Sequence, residues 1–286
     1  MPETNLHFNT ALRRLHCIFL PRFVLEVFRM RVFWFSRYSG LALLMATLPW
    51  ASQAQTATRP LNDTGITWSG RATSGNASTC DASHPAGQDC HYGRDAAAAA
   101  GQLVKKGGGG AGFDFTKISN SGAELPASAA LGSGANDWAC TQDNVTGLVW
   151  EVKTTSGLRS QNHTYTWFNT LSPDGNKGTE SGGTCATAGR CDTEKYVVDV
   201  NAAGLCGASD WRMPTVKELE NIADLGRSGP AIDPTYFPNT PSSYVWSGSP
   251  NGEDSYRAWS VSFSDGGIGS VHRGYVFHVR LVRGGQ

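Results

Sequence analysis

The sequence predicts a small α+β domain, stapled by disulfide bonds, with a small antiparallel sheet, one or two helices and long loops. Three observations support this fold class. A capped helix motif begins at Thr215, short segments with strand-like alternation follow it, and cysteines are spread through a region rich in glycine and serine. The 286 residues are enough for one large or two ordinary domains.

The first fifth of the chain has the features of an export signal. A basic stretch, residues 30–37, precedes an apolar core, residues 41–48, and small residues then form a cleavage site. An apolar core of this length is too short to span a bilayer. We therefore expect residues 1–54 to be a signal peptide, extended upstream of a start at Met30, and the mature chain to be extracytoplasmic and without a membrane span.

Loss of this signal makes the chain mildly acidic. Residues 1–54 hold six arginines and two acidic residues, so the mature chain keeps 18 of 24 basic and 22 of 24 acidic residues. Such a charge gives no bulk attraction to nucleic acid. We expect no nucleic-acid partner.

Six cysteines follow the signal, an even number that indicates disulfides in an exported chain. Several pairings are open. We favour Cys80–Cys90 and Cys185–Cys191, because each closes a short loop, which leaves Cys140–Cys206 to close the longest loop and constrain the unfolded chain most. No cysteine spacing is typical of a metal site, so we expect neither metal nor cofactor.

Residues 55–137 are predicted to be a loop-rich N-terminal portion. Its first segment resembles an extended arm that docks at Trp68, and residues 96–100 fit one or two helical turns. The glycines of residues 107–112 satisfy a GxGxxG pattern, but no strand precedes them and no helix follows. A solvated loop is therefore favoured over a nucleotide site.

The remaining domain, residues 138–283, begins with a predicted buried strand at residues 148–152. An aromatic segment, residues 165–171, is followed by a surface excursion, residues 172–190. Residues 195–203 fit a short helix or strand.

Residues 210–225 are the most tightly specified stretch. The Thr215 hydroxyl can cap the first helical turn while Glu218 reaches back to the cap, which is a capping box. Trp211 and Arg212 are expected to hold this helix against the final strands. The helix buries one apolar face, formed by Val216, Leu219, Ile222 and Ala223.

Three strands are predicted to close the chain, at residues 244–249, 257–263 and 275–283. In the second, Ser260 and Ser262 alternate with apolar residues. We therefore expect an antiparallel sheet with a polar outer face.

The order of these motifs resembles the Lcl C-terminal domain family, a former domain of unknown function called after the end of a collagen-like bacterial adhesin. The resemblance rests on residues 147–152, the run Trp-Arg-Met-Pro-Thr at residues 211–215, and the Trp-containing strands after it. It covers roughly residues 138–283. Met213 replaces the usual leucine, a change that conserves volume. The resemblance implies a bacterial protein of the periplasm, cell surface or medium; no collagen-like repeat is present.

At the level of fold, the same order resembles the C-type lectin-like fold in its formylglycine-generating-enzyme variety. That enzyme needs a reactive cysteine pair, whereas all six mature cysteines here are expected in structural bridges. The calcium-binding motifs of lectins, such as Glu-Pro-Asn, are also missing. Fold analogy alone supplies no function.

Candidate ligand-binding residues lie mainly in the last thirty positions, and the sequence contains no catalytic motif. For Arg212 and Arg280 we favour ion pairs inside the domain. The candidates for contacts with an anionic or aromatic-stacking glycan are Arg257, His272, Arg273, His278 and Trp167.

These observations predict an exported, adhesin-like recognition module that is not an enzyme and binds a glycan or a surface protein. The alternative is a structural or envelope-assembly protein with a protein partner. An oxidase of the formylglycine-generating type is a third hypothesis.

Overall fold

The structure is a computed structural model that describes residues 61–71, 75–77 and 87–284. These residues belong to one compact unit, Ala54–Gln286. The predicted signal peptide lies outside the described residues, and so does Cys80 with its predicted bridge to Cys90. None of the described helices has the length and apolarity needed to cross a membrane.

The described chain is mostly sheet with few helices, which confirms the predicted α+β class. The helices are α1 (Gly93–Ala99), α2 (Thr193–Ala202) and α3 (Val216–Glu220). The strands are β1 (Ser69–Gly70), β2 (Asn76–Ala77), β3 (Phe115–Ser119), β4 (Glu124–Leu125), β5 (Trp138–Asp143), β6 (Val149–Glu151), β7 (Tyr244–Pro250), β8 (Arg257–Ser262), β9 (Ile268–His272), β10 (His278–Val279) and β11 (Val282–Arg283).

The strands form two main sheets and one short ladder. The larger sheet is antiparallel with the order β11-β6-β5-β3-β4, and the second has the order β10-β7-β8-β9. β1 and β2 pair with each other. Two apolar cores surround these sheets, one around Trp211, Trp246 and Tyr196 and the other around Trp150 and Phe237.

The capping box at the start of α3 is confirmed. The Glu218 backbone N–H donates to Thr215 Oγ1 at 3.2 Å, and the Thr215 N–H donates to Glu218 Oε2 at 2.8 Å. Arg212 adds two bonds to the Glu218 carboxylate, at 2.8 and 2.6 Å. Trp211 is buried, and its indole N–H donates to the Leu205 carbonyl at 2.9 Å. Arg212 also contacts the final strand, through two backbone hydrogen bonds with Val282 at 2.9 and 3.0 Å and a side-chain bond to the Gly284 carbonyl at 3.1 Å, so it links α3 to that strand as predicted.

The predicted length of this helix is wrong, because α3 ends at Glu220. The next backbone donors turn away from the helix: the Asp224 N–H donates to the Ala231 carbonyl at 3.0 Å, and the Leu225 N–H donates to the Thr64 carbonyl of the N-terminal arm at 2.8 Å. The Asn62 N–H of the arm also donates to the Asn221 side chain at 2.9 Å. The arm thus docks through its polar residues, while Trp68 is 36% exposed.

Two of the predicted disulfides are confirmed. Cys140–Cys206 joins β5 to the turn before α3 and spans 66 positions. Cys185–Cys191 spans six positions at the end of the surface excursion.

The predicted antiparallel pairing is confirmed for β7, β8 and β9, but the predicted polar outer face and the antiparallel placement of the last strand are wrong. Ser260 and Ser262 are buried, and β10 pairs with β7 in parallel. The Ser260 hydroxyl donates to the Gly269 carbonyl at 3.1 Å, and the Ser247 hydroxyl donates to the Trp259 carbonyl at 2.7 Å. A small hydroxyl that donates to a carbonyl satisfies its own polarity, so serine can occupy the interior.

The last predicted strand is also divided. β10 and β11 belong to different sheets, and the chain crosses between them at Arg280 and Leu281. Two groups of the fully buried residue Glu151 hold this crossing in place. The carboxylate Oε2 accepts from the Leu281 N–H at 2.9 Å, and the main-chain carbonyl accepts from the Arg280 guanidinium at 2.6 Å.

The buried charge cluster consists of Glu151, Lys153, Tyr196 and Arg280. Lys153 Nζ lies 2.9 Å from Glu151 Oε1 and 3.0 Å from the Tyr196 hydroxyl, which itself donates to Glu151. Burial by itself would raise the pKa of Glu151, but Lys153 and the hydrogen bonds hold that pKa below its usual value. Burial lowers the pKa of Arg280 to about 10. The predicted internal position of Arg280 is observed, but not the predicted ion pair: its guanidinium donates to the Glu151 main-chain carbonyl and to the Thr240 hydroxyl, at 2.6 Å each.

The two disulfides should differ in their effect on stability. Replacing both Cys140 and Cys206 by alanine should lower the free energy of unfolding by about 4 kcal/mol, against about 2 kcal/mol for Cys185 and Cys191, because the first pair closes the longer loop. Urea denaturation of the two double variants measures the difference. Equal losses would contradict the loop-length explanation.

Loss of the Glu151 charge should destabilise the fold strongly. Glu151→Gln leaves the buried Lys153 ammonium without a carboxylate, at a cost of about 3–5 kcal/mol in the free energy of unfolding. Because the folded pKa of Glu151 is lowered, its contribution is present above pH 4.5 and declines as the pH falls further.

Adding Lys153→Met to this variant should restore part of the loss, because no unpaired charge then remains. The exposed Glu253→Gln, which removes the same charge, is the matched control and should change little. A loss at Glu151 no larger than at Glu253 would show that the cluster does not hold the fold.

Candidate functional site

The most prominent exposed feature of the second sheet is a connected series of ring contacts, here called the aromatic row. Its centroid distances are 5.0 Å from Tyr244 to Phe277, 6.2 Å from Phe277 to Tyr275, 6.3 Å from Tyr275 to His272, and 6.3 Å from His272 to Tyr256. Tyr256 and Tyr275 are 65% and 59% exposed. Exposed aromatic surface of this kind makes the row a candidate interaction site.

Strand pairing and a turn assemble the row. His272 ends β9 directly opposite Arg257, the first residue of β8. The Tyr275 N–H donates to the His272 carbonyl at 3.0 Å, which closes a turn and brings the two rings together. Phe277 is fixed by two backbone hydrogen bonds to Tyr165, at 2.7 and 3.0 Å.

Two of the predicted ligand-binding residues, Arg257 and His272, meet at this row. The Arg257 side chain is 50% exposed; it pairs with Asp254 at 3.2 Å and donates to the Ser270 carbonyl at 2.9 Å. The His272 ring accepts a hydrogen bond from the Gly274 N–H at 3.0 Å through Nδ1. The row therefore combines exposed rings with one half-exposed cation that already has an acidic neighbour.

Two other predicted binding residues, Arg273 and Trp167, are buried under the row. The Arg273 guanidinium lies 4.1 Å from the Trp167 ring centroid and forms an ion pair with Asp174. Its backbone N–H donates to the Tyr256 carbonyl at 3.0 Å, and its Nε donates to the Arg257 carbonyl at 3.1 Å. Arg273 and Trp167 thus position the residues that carry the surface instead of forming it.

The fifth predicted binding residue, His278, lies apart from the exposed rings. Its half-buried side chain hydrogen-bonds through Nδ1 to the His163 carbonyl at 2.9 Å. Burial lowers the pKa of His278 below its usual value. This environment favours a neutral ring in the strand rather than a charged ligand contact.

The sequence analysis missed Tyr244, Tyr256 and Tyr275. Tyr275 was predicted to begin a strand at residues 275–283, whereas the observed strands of that segment begin only at His278. One signal was present: Tyr256 follows Asp254 and Tyr275 follows Gly274, which are both turn residues. Large rings next to turns are placed where the chain reaches the surface.

Two grooves elsewhere offer fewer free groups. The larger, about 710 Å³, is bordered by Arg159, which already donates to the carbonyls of Ala139 and Val152 at 2.9 and 2.6 Å. The smaller, about 300 Å³, lies beside Arg212, which forms an ion pair with Glu218 at 2.6 Å. The aromatic row is therefore the stronger candidate.

Comparison with known proteins agrees with the predicted family. Residues 139–283 match the family model described as the Lcl C-terminal domain, and this span is a little more than half of the 286 residues. No curated protein and no solved structure matches the chain. The matched span contains the capping box, the buried charge cluster and the whole aromatic row. The chain belongs to the Lcl C-terminal domain family.

Proposed function

We propose that the protein is an exported, non-catalytic recognition module that binds a glycan through the aromatic row, in the manner of an adhesin. The exposed rings of Tyr256 and Tyr275 carry this proposal. Pyranose rings present apolar C–H faces, and an aromatic ring provides a flat apolar surface for them with a polar hydroxyl at its edge.

Stacking explains this surface better than charge does. Most arginines of the last thirty residues are already engaged: Arg273 pairs with Asp174, Arg280 is buried, and Arg283 pairs with Asp210 at 2.7 Å. Arg257 is accompanied by Asp254. An exposed ion pair of this kind contributes little net attraction for a polyanion, so we favour neutral or weakly acidic sugars.

A protein partner is the second candidate, as expected of an envelope-assembly protein. β9 forms an edge of its sheet within the described residues, and the apolar side chains of Ile268 and Val276 are exposed near the row. An uncovered strand edge can accept an additional strand. A cross-linking pull-down that captures one defined envelope protein through β9 would favour this candidate.

Support for an oxidase is weaker. The formylglycine-generating type needs a reactive thiol pair, and four of the six mature cysteines are joined in Cys140–Cys206 and Cys185–Cys191. The Trp-Arg-x-Pro-Thr motif ahead of the Trp-containing strands supports a C-type lectin-like arrangement, which we propose as the finer description of the fold.

Removal of one ring from the row should weaken glycan binding. The purified protein is screened on a glycan array and on a heparin column at low and moderate salt. Tyr256→Ala and Tyr275→Ala should each weaken binding roughly tenfold, equivalent to ~1.4 kcal/mol. Binding should change little with salt, because stacking is not screened.

Tyr92→Ala is the matched control, since Tyr92 is also 59% exposed but lies outside the matched domain. It should bind like the unmodified protein. Absence of retention on every polyanion and neutral sugar would reject the glycan proposal. Retention that moderate salt abolishes and the tyrosine variants do not affect would instead indicate a charge-based site.

A further inference from the structure

Three aspartates meet in the N-terminal portion, outside the domain that matches the family. Asp63 comes from the arm, Asp89 from a short 3-10 turn, and Asp95 from α1. One carboxylate oxygen of each lies within 4.8 Å of the others. The sequence predicts no metal, because these residues come from separate segments and form no motif.

The two deepest carboxylates each have an oxygen without a hydrogen-bond partner. Asp95 is only 4% exposed; its Oδ1 accepts from the Gly112 N–H at 2.7 Å, while its Oδ2 is buried and unpartnered. Asp63 Oδ1 accepts from the Thr64 N–H at 2.7 Å, and its Oδ2 is also buried and unpartnered. A buried, unsatisfied carboxylate oxygen is costly, so these oxygens require a ligand or a proton.

The nearby cations Arg94 and Lys105 donate to main-chain carbonyls, and Lys105 attracts Asp63 and Asp95 only across a distance longer than an ion pair. Arg94 donates through Nε to the Gly112 carbonyl at 2.7 Å, and Lys105 Nζ donates to the Gly109 carbonyl at 2.9 Å. Among the described residues, neither forms an ion pair with the three aspartates. Burial and the adjacent Asp63 carboxylate raise the pKa of Asp95 to about 7, which shows the cost of keeping these charges together.

The surrounding backbone is built to let the carboxylates approach. A Cβ atom on Gly112 would lie 1.6 Å from Asp63 Oδ2 and 2.5 Å from Arg94 Cβ. Only glycine fits at this position. The Asp89 carboxylate is fixed from the other side, because it accepts a hydrogen bond from the Thr64 hydroxyl.

We propose that Asp63, Asp89 and Asp95 form a binding site for a calcium ion. The donors are hard carboxylate oxygens, which suit Ca²⁺ or Mg²⁺ rather than softer metals. The three carboxylates come from an arm, a 3-10 turn and a helix, so their arrangement is irregular. Ca²⁺ tolerates an irregular arrangement of ligands, whereas Mg²⁺ requires a nearly ideal octahedron. Calcium would connect the arm, the turn and α1, and would therefore help to hold these segments, within residues 61–99, on the domain through the arm's bonds to Asn221 and Leu225.

Calorimetry and thermal unfolding of the purified protein in EDTA, CaCl2 or MgCl2 test this site. One Ca²⁺ should bind, with a dissociation constant on the order of 10⁻⁴ M, as in extracytoplasmic modules. Ca²⁺ should raise the unfolding midpoint, and Mg²⁺ should bind more weakly. Magnesium binding as tight as that of calcium would overturn the assignment.

Asp95→Asn should weaken Ca²⁺ binding roughly tenfold or more, because it removes one ligand charge. In EDTA the same variant should unfold at a temperature equal to or above that of the unmodified protein, since a buried like charge is gone. Asp89→Asn, at the half-buried carboxylate, is the second variant and should also weaken binding. Glu253→Gln is the exposed control and should bind like the unmodified protein.

The competing explanation for the two unpartnered oxygens is a proton shared between the carboxylates of Asp63 and Asp95. It predicts no response of the unmodified protein to Ca²⁺, and an Asp95→Asn variant that is stabilised equally with and without metal. That result would overturn the proposal without requiring any variant to bind metal.

Discussion

Glu151 is fully buried, and three separate segments of the chain supply the groups that satisfy its carboxylate. Lys153 lies two residues away, Tyr196 belongs to α2, and the Leu281 N–H belongs to the final segment. A carboxylate without these partners would not stay ionised in an apolar interior. This one interaction therefore fixes β6, α2 and the end of the chain relative to one another.

The position of the aromatic row follows from that constraint. Because Arg280 and Leu281 turn inward at Glu151, the segment before them runs along the second sheet, and Tyr165 secures Phe277 there. Arg273 then ties the backbone of Tyr256 and Arg257 to the same segment. The charged interior thus serves as scaffold, and the proposed recognition surface lies on turns that are hydrogen-bonded to it.

The calcium proposal concerns a separate part of the molecule. Among the described residues of 61–99, the only strands are the short β1 and β2, and the arm joins the domain by a few polar contacts. A cation would add a link of the kind that disulfides provide in the matched domain. The two proposals are independent, because the aspartate cluster lies outside residues 139–283.

Local signals predicted the local structure well. Chemistry within a few residues predicts the capping box at Thr215 and the anchoring of Trp211. Loop closure predicts the long-range disulfide Cys140–Cys206 and the short-range disulfide Cys185–Cys191. Other predictions were wrong because long-range contacts outweighed the local sequence signals. Beyond Glu220, backbone donors bond to Ala231 and to the arm and do not continue α3. The Leu281 N–H donates to Glu151 where the last strand is divided, and the serines expected on a polar face are buried.

The candidate site was predictable only in part for the same reason. Composition pointed to the last thirty residues, and Arg257 and His272 do lie at the exposed rings. Whether an arginine is free or paired depends on residues such as Asp174, nearly a hundred positions away from Arg273. The exposure of Tyr275 depends on the division of the last strand, which the alternation of residues 275–283 does not indicate.

NMR can measure whether a glycan contacts the aromatic row and leaves the buried scaffold around Glu151 unchanged. Backbone amide shifts are followed while a glycan that retains the protein on the array is titrated in. The largest changes should occur at residues 254–257 and 270–277, with α3 and Glu151 almost unaffected. Changes centred on the groove beside Arg212, or on α3 itself, would contradict the assignment of recognition to the aromatic row.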